Sequence, residues 1–173
     1  IVSFAKGVTC GYVQLGGVVV SKEIAEYFDD RLLSCGLTYS GHPLACAAGV
    51  ACLKFYDDAK ILDNVNASGK VLGEELEALK AKYDIVGDVR YIGLFSAIEL
   101  VKDRKTRAPL VEYGKDPAGI MKSIIGKLKE KGFMTYSHEN MILICPPLII
   151  TPEQVKEEMK KVDEVIAEIN GIY

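Results

Sequence analysis

The sequence predicts an α/β protein in two parts, residues 1–83 and 84–173. Alanine-rich and amphipathic helical sequence fills most of the first part. Near Asp84 the hydrophobic period shifts from about 3.6 towards 2 and a β-α-β-β-α succession begins. Composition agrees: 49% hydrophobic residues at net charge −3 over 173 residues is the balance of a globular chain with a sizeable core.

Gly16-Gly17-Val18-Val19-Val20 is β-branched and fits a buried strand. Ser21 then offers an N-cap, with Ile24, Tyr27, Phe28 and Leu32 at helical spacing. After a loop over residues 34–41, Pro43 suits a first helical turn, where its missing N–H has no partner to lose. The small residues Ala45, Ala47, Ala48, Gly49 and Ala51 follow, and a helix so lined is expected in the interior. Residues 61–83 read as a long amphipathic helix through Leu62, Val65, Val71, Leu72, Leu76 and Leu79. Ile85-Val86 and residues 92–101 read as strands, and the charged residues 102–115 as a solvated loop. Asp116-Pro117 is expected to cap a helix through Ile120, Ile124 and Leu128 that stops at Gly132. Residues 133–136 and 141–144 read as strands joined by a polar turn, His138-Glu139-Asn140. Thr151-Pro152-Glu153-Gln154 is a capping box opening the last helix.

Several function classes are excluded. The mild acidity argues against nucleic-acid binding through charge. No stretch approaches the roughly 20 apolar residues of a membrane-spanning helix, and high hydrophobicity at low net charge excludes disorder. The five cysteines are odd in number and form no CxxC pair, so they read as buried free thiols of a reducing compartment, the cytoplasm. His42 and His138 have no partners at metal-ligand spacing. The chain opens Ile1-Val2-Ser3 without an initiator Met or signal pattern, as though beginning mid-sequence.

Residue chemistry leaves few candidates. Lys6 lies between Phe4-Ala5 and Gly7, where a partly buried amine becomes a nucleophile able to form a Schiff base. Thr38-Tyr39-Ser40-Gly41-His42-Pro43 sets hydroxyls and backbone N–H groups ahead of a helix N-terminus, a natural anion site that equally serves as plain capping. Arg90 alone reads as a structural ion-pair residue. His138 reads as a surface turn histidine, and Tyr136, before it on a strand, is ambiguous.

Order and spacing add more. The string from Phe4-Ala5-Lys6-Gly7 through Gly11-Tyr12 to Leu15-Gly16-Gly17-Val18 resembles the cofactor-lysine segment of class III aminotransferases, the pyridoxal-phosphate enzymes of ω-amino acids and amines. Thr38 to Pro43 is similar to that family's phosphate loop. Gly87-Asp88-Val89-Arg90, Gly93-Leu94 with Glu99-Leu100, and Pro146 to Thr151 are similar to its C-terminal small domain. The resemblance covers essentially the whole chain. It implies the C-terminal part of a fold-type I pyridoxal-phosphate transferase: residues 1–83 as the end of the large cofactor domain and 84–173 as a small α+β domain.

The resemblance also implies roles. Lys6 would bind the pyridoxal phosphate aldehyde covalently and then act as general base and acid. Thr38, with Tyr39, would bind the cofactor phosphate, Thr38 serving the neighbouring subunit of a homodimer. The reaction implied is transamination between an amine or ω-amino-acid donor and a keto-acid (such as pyruvate) or aldehyde acceptor. An isomerase or decarboxylase on the same scaffold, a non-catalytic dimerising module and a simple anion-binding module are the alternatives. Three departures stand out. Tyr136 occupies the position, ten before Pro146, where relatives using α-keto acids commonly carry an arginine, so a substrate carboxylate is bound elsewhere or the substrate presents a sulfonate or a plain amine. Cys35 stands for a common histidine, and Tyr91 for a usual glycine. The family's phosphate turn, ring-stacking aromatic and pyridine-pairing aspartate precede the lysine segment. Residues 1–173 are therefore expected to be inactive alone and to expose apolar surface.

Overall fold

The computed structural model describes residues 1–173, which form two compact units, Ile1–Lys60 and Ile61–Tyr173. This division falls between Lys60 and Ile61, ahead of the domain boundary proposed at Asp84. The physical reason is the long helix α3 (Ile61–Lys82), whose buried Leu72, Leu76 and Leu79 join the core of the second unit.

In the first unit, β1 (Val2–Ala5) and β2 (Gly16–Val19) pair antiparallel from Val2↔Val19 to Ala5↔Gly16. β1 was not expected, and β2 is not the buried strand its valines suggested: Val18 and Val19 are exposed, because this two-stranded sheet leaves them uncovered. Helix α1 (Lys22–Tyr27) is short, and its Ser21 cap accepts from the Ile24 N–H at 3.4 Å. Helix α2 (Pro43–Asp58) is not interior either. Only Ala45 and Gly49 are buried, while Leu44, Val50, Leu53 and Phe55 face outward. The cysteines follow suit. All five are free, but Cys10, Cys35, Cys46 and Cys145 are exposed and Cys52 half-buried, against the expectation of burial.

The second unit lays its helices on one face of an antiparallel sheet of order β3-β4-β7-β6: β3 (Val86–Ile92), β4 (Phe95–Asp103), β7 (Met141–Ile144) and β6 (Tyr136–His138), with the short β5 (Ala108–Pro109) beside β4. A row of Val89, Ile98 and Ile142, directly opposite one another, faces the core with α3, α4 (Ile120–Glu130) and α5 (Pro152–Ile169). Alternation places the next rows on the open face: Arg90–Ala97–Leu143–Tyr136 and Asp88–Glu99–Met141–His138. β6 starts later than expected, so His138 lies within the strand and the turn is Glu139-Asn140, with Glu139 at φ 52°. The Thr151 capping box forms as read, both hydrogen bonds present. Asp116 acts from farther back: α4 begins after Gly119, and the Asp116 carboxylate accepts from the Ile120 and Met121 N–H groups at 2.7 and 3.0 Å.

The charged segment after β4 is not wholly solvated. Arg104 turns inward and donates to the carbonyls of Lys80 and Tyr83, at the end of α3, and of Val86, the last two at 2.6 and 2.9 Å. A guanidinium there satisfies carbonyls the helix leaves unbonded and complements its dipole. Arg104→Ala is expected to destabilise the fold by about 1.5–3 kcal/mol, the usual worth of hydrogen bonds to a charged group. Arg104→Lys recovers only part, since one ammonium does not fork onto three acceptors. The midpoint of urea unfolding measures both.

Beside it, the Lys80 ammonium donates to Asp88 at 2.7 Å. That bond, opposed by partial desolvation, holds the Asp88 carboxyl below its ordinary 3.8. Because the folded value is the lower one, the stabilisation is present above about pH 3.8 and is lost as pH falls through the folded value. The pair is too exposed to contribute much. NMR titration of the Asp88 carboxyl should give a midpoint under 3.8, and Lys80→Met should return it towards that value.

Candidate active site

Lys6 stands where the β1–β2 ladder ends, just past the Ala5↔Gly16 pair, and begins a single 3-10 turn, Lys6–Thr9. Its φ is 57°, in the left-handed region where a side chain costs about 1–3 kcal/mol. Contacts on both sides hold it there. Thr9 is 1% exposed and its hydroxyl donates to the Val13 carbonyl, while the Tyr12 and Cys10 amides close onto the Thr9 and Gly7 carbonyls at 3.0 and 3.2 Å. From the other side the turn packs on α2 at Gly49, where a Cβ would lie 2.9 Å from Leu15 Cδ2. A larger residue there would require the Leu15 side chain to move. The Lys6 side chain itself is exposed, and the unit's ion pairs, Lys22–Glu26, Asp30–Arg31 and Lys54–Asp58, do not involve it.

Thr38 and Tyr39 are exposed in the turn that leads into α2. There the Ser40 amide bonds the Leu37 carbonyl, and the His42 amide bonds the Tyr39 carbonyl. Gly41 takes φ 69°, and the Tyr39 and His42 rings lie 5.7 Å apart. His42, the N-cap, makes no side-chain bond to the first-turn amides, and Pro43 follows it. A helix of 16 residues thus begins beside two exposed hydroxyl residues, the chemistry that receives an anion. Both predicted cofactor elements belong to one unit and meet the same helix at different heights. The lysine turn touches it at Gly49, about 9 Å along the axis from Pro43 at 1.5 Å per residue.

Tyr136 belongs to the other unit. It is 59% exposed on the edge strand β6 and ends the open-face row that starts at Arg90. The Arg90 guanidinium is engaged by Glu99 at 2.5 Å and lies 3.9 Å from Asp88, as its reading as a structural ion-pair residue requires. His138 ends the neighbouring row, beside Met141. No group of acidic, histidine or cysteine side chains is placed to hold a metal ion, and no helix is long and apolar enough to cross a membrane. Thr9 and Gly49 brace the lysine without having been singled out for it. Each is hinted at only by a small or polar residue type; their partners emerge on folding.

The sequence model described as Aminotransferase class-III matches residues 1–166. The chain belongs to the class III aminotransferase family. Among solved class III relatives, a taurine:2-oxoglutarate aminotransferase from Bifidobacterium kashiwanohense, in complex with PLP and glutamate, is 49% identical. It superposes on 97% of this chain and 37% of its own with a TM-score of 0.88. A transaminase from the marine bacterium Virgibacillus is 36% identical, with coverage of 97% and 39% and a TM-score of 0.84. An adenosylmethionine-8-amino-7-oxononanoate aminotransferase of Methanocaldococcus jannaschii is 35% identical over 160 residues, 90% of this chain and 34% of that one. A putrescine–pyruvate aminotransferase of Pseudomonas aeruginosa is 33% identical over 159 residues, 88% and 33%. The chain thus spans about a third of the length of the curated relatives it matches.

Proposed function

We propose that the protein to which these residues belong is a pyridoxal-phosphate-dependent transaminase in which Lys6 is the catalytic residue. The observation that carries this is the backbone of Lys6, held left-handed at a sheet end with its amine exposed. Strain of this kind gathers where a side chain must be aimed. Both kinds of donor that the cofactor needs are present: a primary amine for its aldehyde, and the Thr38 and Tyr39 hydroxyls at a helix N-terminus for the phosphate at the neighbouring subunit's site. When bound, that cofactor supplies the electron sink that amino-group transfer requires.

Within this chain Lys6 Nζ is the nucleophile and then the atom that takes and returns a proton. In the proposed homodimer Thr38, with Tyr39, would orient the phosphate of the cofactor held by the neighbouring subunit's lysine, and Tyr136 is the proposed substrate contact. With tyrosine at this place, a donor of the amine or ω-amino-sulfonate kind is favoured, and the 49% identity to a taurine:2-oxoglutarate aminotransferase supports it. A keto acid is the acceptor. The outward apolar side chains of α2 make that helix the proposed homodimer contact, and the free thiols suit a cytoplasmic setting.

The test assays the full-length protein with taurine and with putrescine against pyruvate and 2-oxoglutarate, then reduces it with borohydride in the presence of pyridoxal phosphate. Transamination with label on Lys6 is expected, and residues 1–173 alone are expected to take up no stoichiometric label. Label at another lysine, or no transamination by the full-length protein, overturns the assignment; turnover by the 173 residues alone overturns their expected inactivity.

A further inference from the structure

Residues 6–15 connect β1 to β2, and Lys6 is the first of them. A two-residue hairpin is fixed by its own turn, whereas a connection this long needs internal bonds to hold any one residue in place. Thr9 supplies two. Its carbonyl accepts from the Tyr12 amide at 3.0 Å across Cys10 and Gly11, whose φ values of 50° and 80° make this a type I′ turn. Its hydroxyl donates to the Val13 carbonyl and closes the turn at its base. In the unit Ile1–Lys60 only Thr9, Ala45 and Gly49 are buried, so Thr9 carries the one polar side chain of that interior. The Cys10 thiol lies 3.6 Å from the Gly7 carbonyl and 3.9 Å from the Tyr56 hydroxyl on α2, contacts in which sulfur is a weak partner.

We propose that Thr9 is a positioning residue for Lys6, its hydroxyl holding in place the backbone that carries the amine. The role rests on the reading of Lys6 as the catalytic residue. It falls to a side chain that, at 1% exposure, offers no surface to cofactor or substrate. A lysine at φ 57° stays left-handed only where its surroundings over-determine it. Without the hydroxyl the Val13 carbonyl loses its donor, and the type I′ turn is left with the Tyr12 bond alone. Lys6 then relaxes towards negative φ, where a side chain is unstrained. Its amine leaves the place where the turn holds it, and a displacement of the order of 1 Å costs about 100-fold in rate. The hydroxyl thus acts on the reaction through the lysine backbone, without touching the reacting atoms.

The test prepares the full-length protein as Thr9→Val, which keeps the shape and removes the hydroxyl, as Thr9→Ser, which keeps the hydroxyl, and as Lys6→Ala. Thr9→Val is expected to lower the single-turnover rate with saturating taurine or putrescine by about 10–100-fold. The half-saturating donor concentration should stay within about threefold, because no binding group is lost, and Thr9→Ser should restore the rate. In the cofactor-free protein, hydrogen exchange of the Tyr12 amide should quicken in Thr9→Val and slow again in Thr9→Ser, with the exchange of β4 unchanged in both. Unchanged exchange at Tyr12, or a loss of rate that Thr9→Ser does not restore, overturns the proposal. So does loss of the fold in both Thr9→Val and Thr9→Ala, which would make the hydroxyl a folding element. Turnover kept by Lys6→Ala overturns the transaminase reading instead, whereas turnover lost in Lys6→Ala but kept in Thr9→Val overturns the positioning role alone.

Discussion

Lys6→Ala in the full-length protein is expected to lower transamination by about 10⁴-fold or more, the upper range for losing a positioned acid–base group, here compounded by loss of the nucleophile. The fold should be untouched. Lysine and alanine carry the same Cβ, so the left-handed backbone at φ 57° is equally strained in both. The exposed side chain leaves no cavity and breaks no ion pair. Lys6→Arg is the sharper variant, because it keeps the charge and length but offers no amine to an aldehyde. Both variants should lose turnover and borohydride-dependent labelling together while keeping the circular dichroism of the parent. Turnover within tenfold of the parent would remove Lys6 from the chemistry.

The largest stability effect is expected at Ile98. It is 0% exposed at the middle of β4, opposite Val89 on one side and Ile142 on the other, all three facing α3 and α5. Ile98→Ala removes buried methyl groups from a row whose backbone is held by two ladders. The space cannot collapse freely, and a loss of about 2–5 kcal/mol follows. For a chain of this length that is a fall in Tm of roughly 5–15 °C. The matched control is Tyr136→Ala, on the open side of the same sheet and 59% exposed, expected to change stability by about 0.5 kcal/mol or less. Urea unfolding followed by hydrogen exchange of the β4 amides reads both. Equal losses in the two variants would mean that the sheet buries its other face.

The readings that held were those whose causes are local. The Thr151–Gln154 capping box, the Ser21 cap and the strand Met141–Ile144 depend on neighbours within a few residues and formed as expected. The family was legible for another reason: the order of the segments around Lys6 and Thr38 resembles it, and the model of that family matches residues 1–166. What could not be read depends on residues far apart. Nothing near Arg104 announces that its guanidinium reaches carbonyls at the end of a helix more than 20 positions earlier. Nor does the sequence announce that α3 takes its core partners from β3 and α5, which places it in the unit Ile61–Tyr173.

By itself the chain's pattern of apolar and capping residues settled the helices, most strands and the family, because periodicity and caps act over one or two turns. Folding alone settled which faces are covered. It set the small-residue helix α2 largely outward, with the lysine turn on its Gly49 side, and brought Cys10 to Tyr56 across 46 positions. It also drew Lys6 into a left-handed turn that its own residue type disfavours. Such arrangements arise when two distant segments pack closely, and an alternation of residue types does not encode the separation between them.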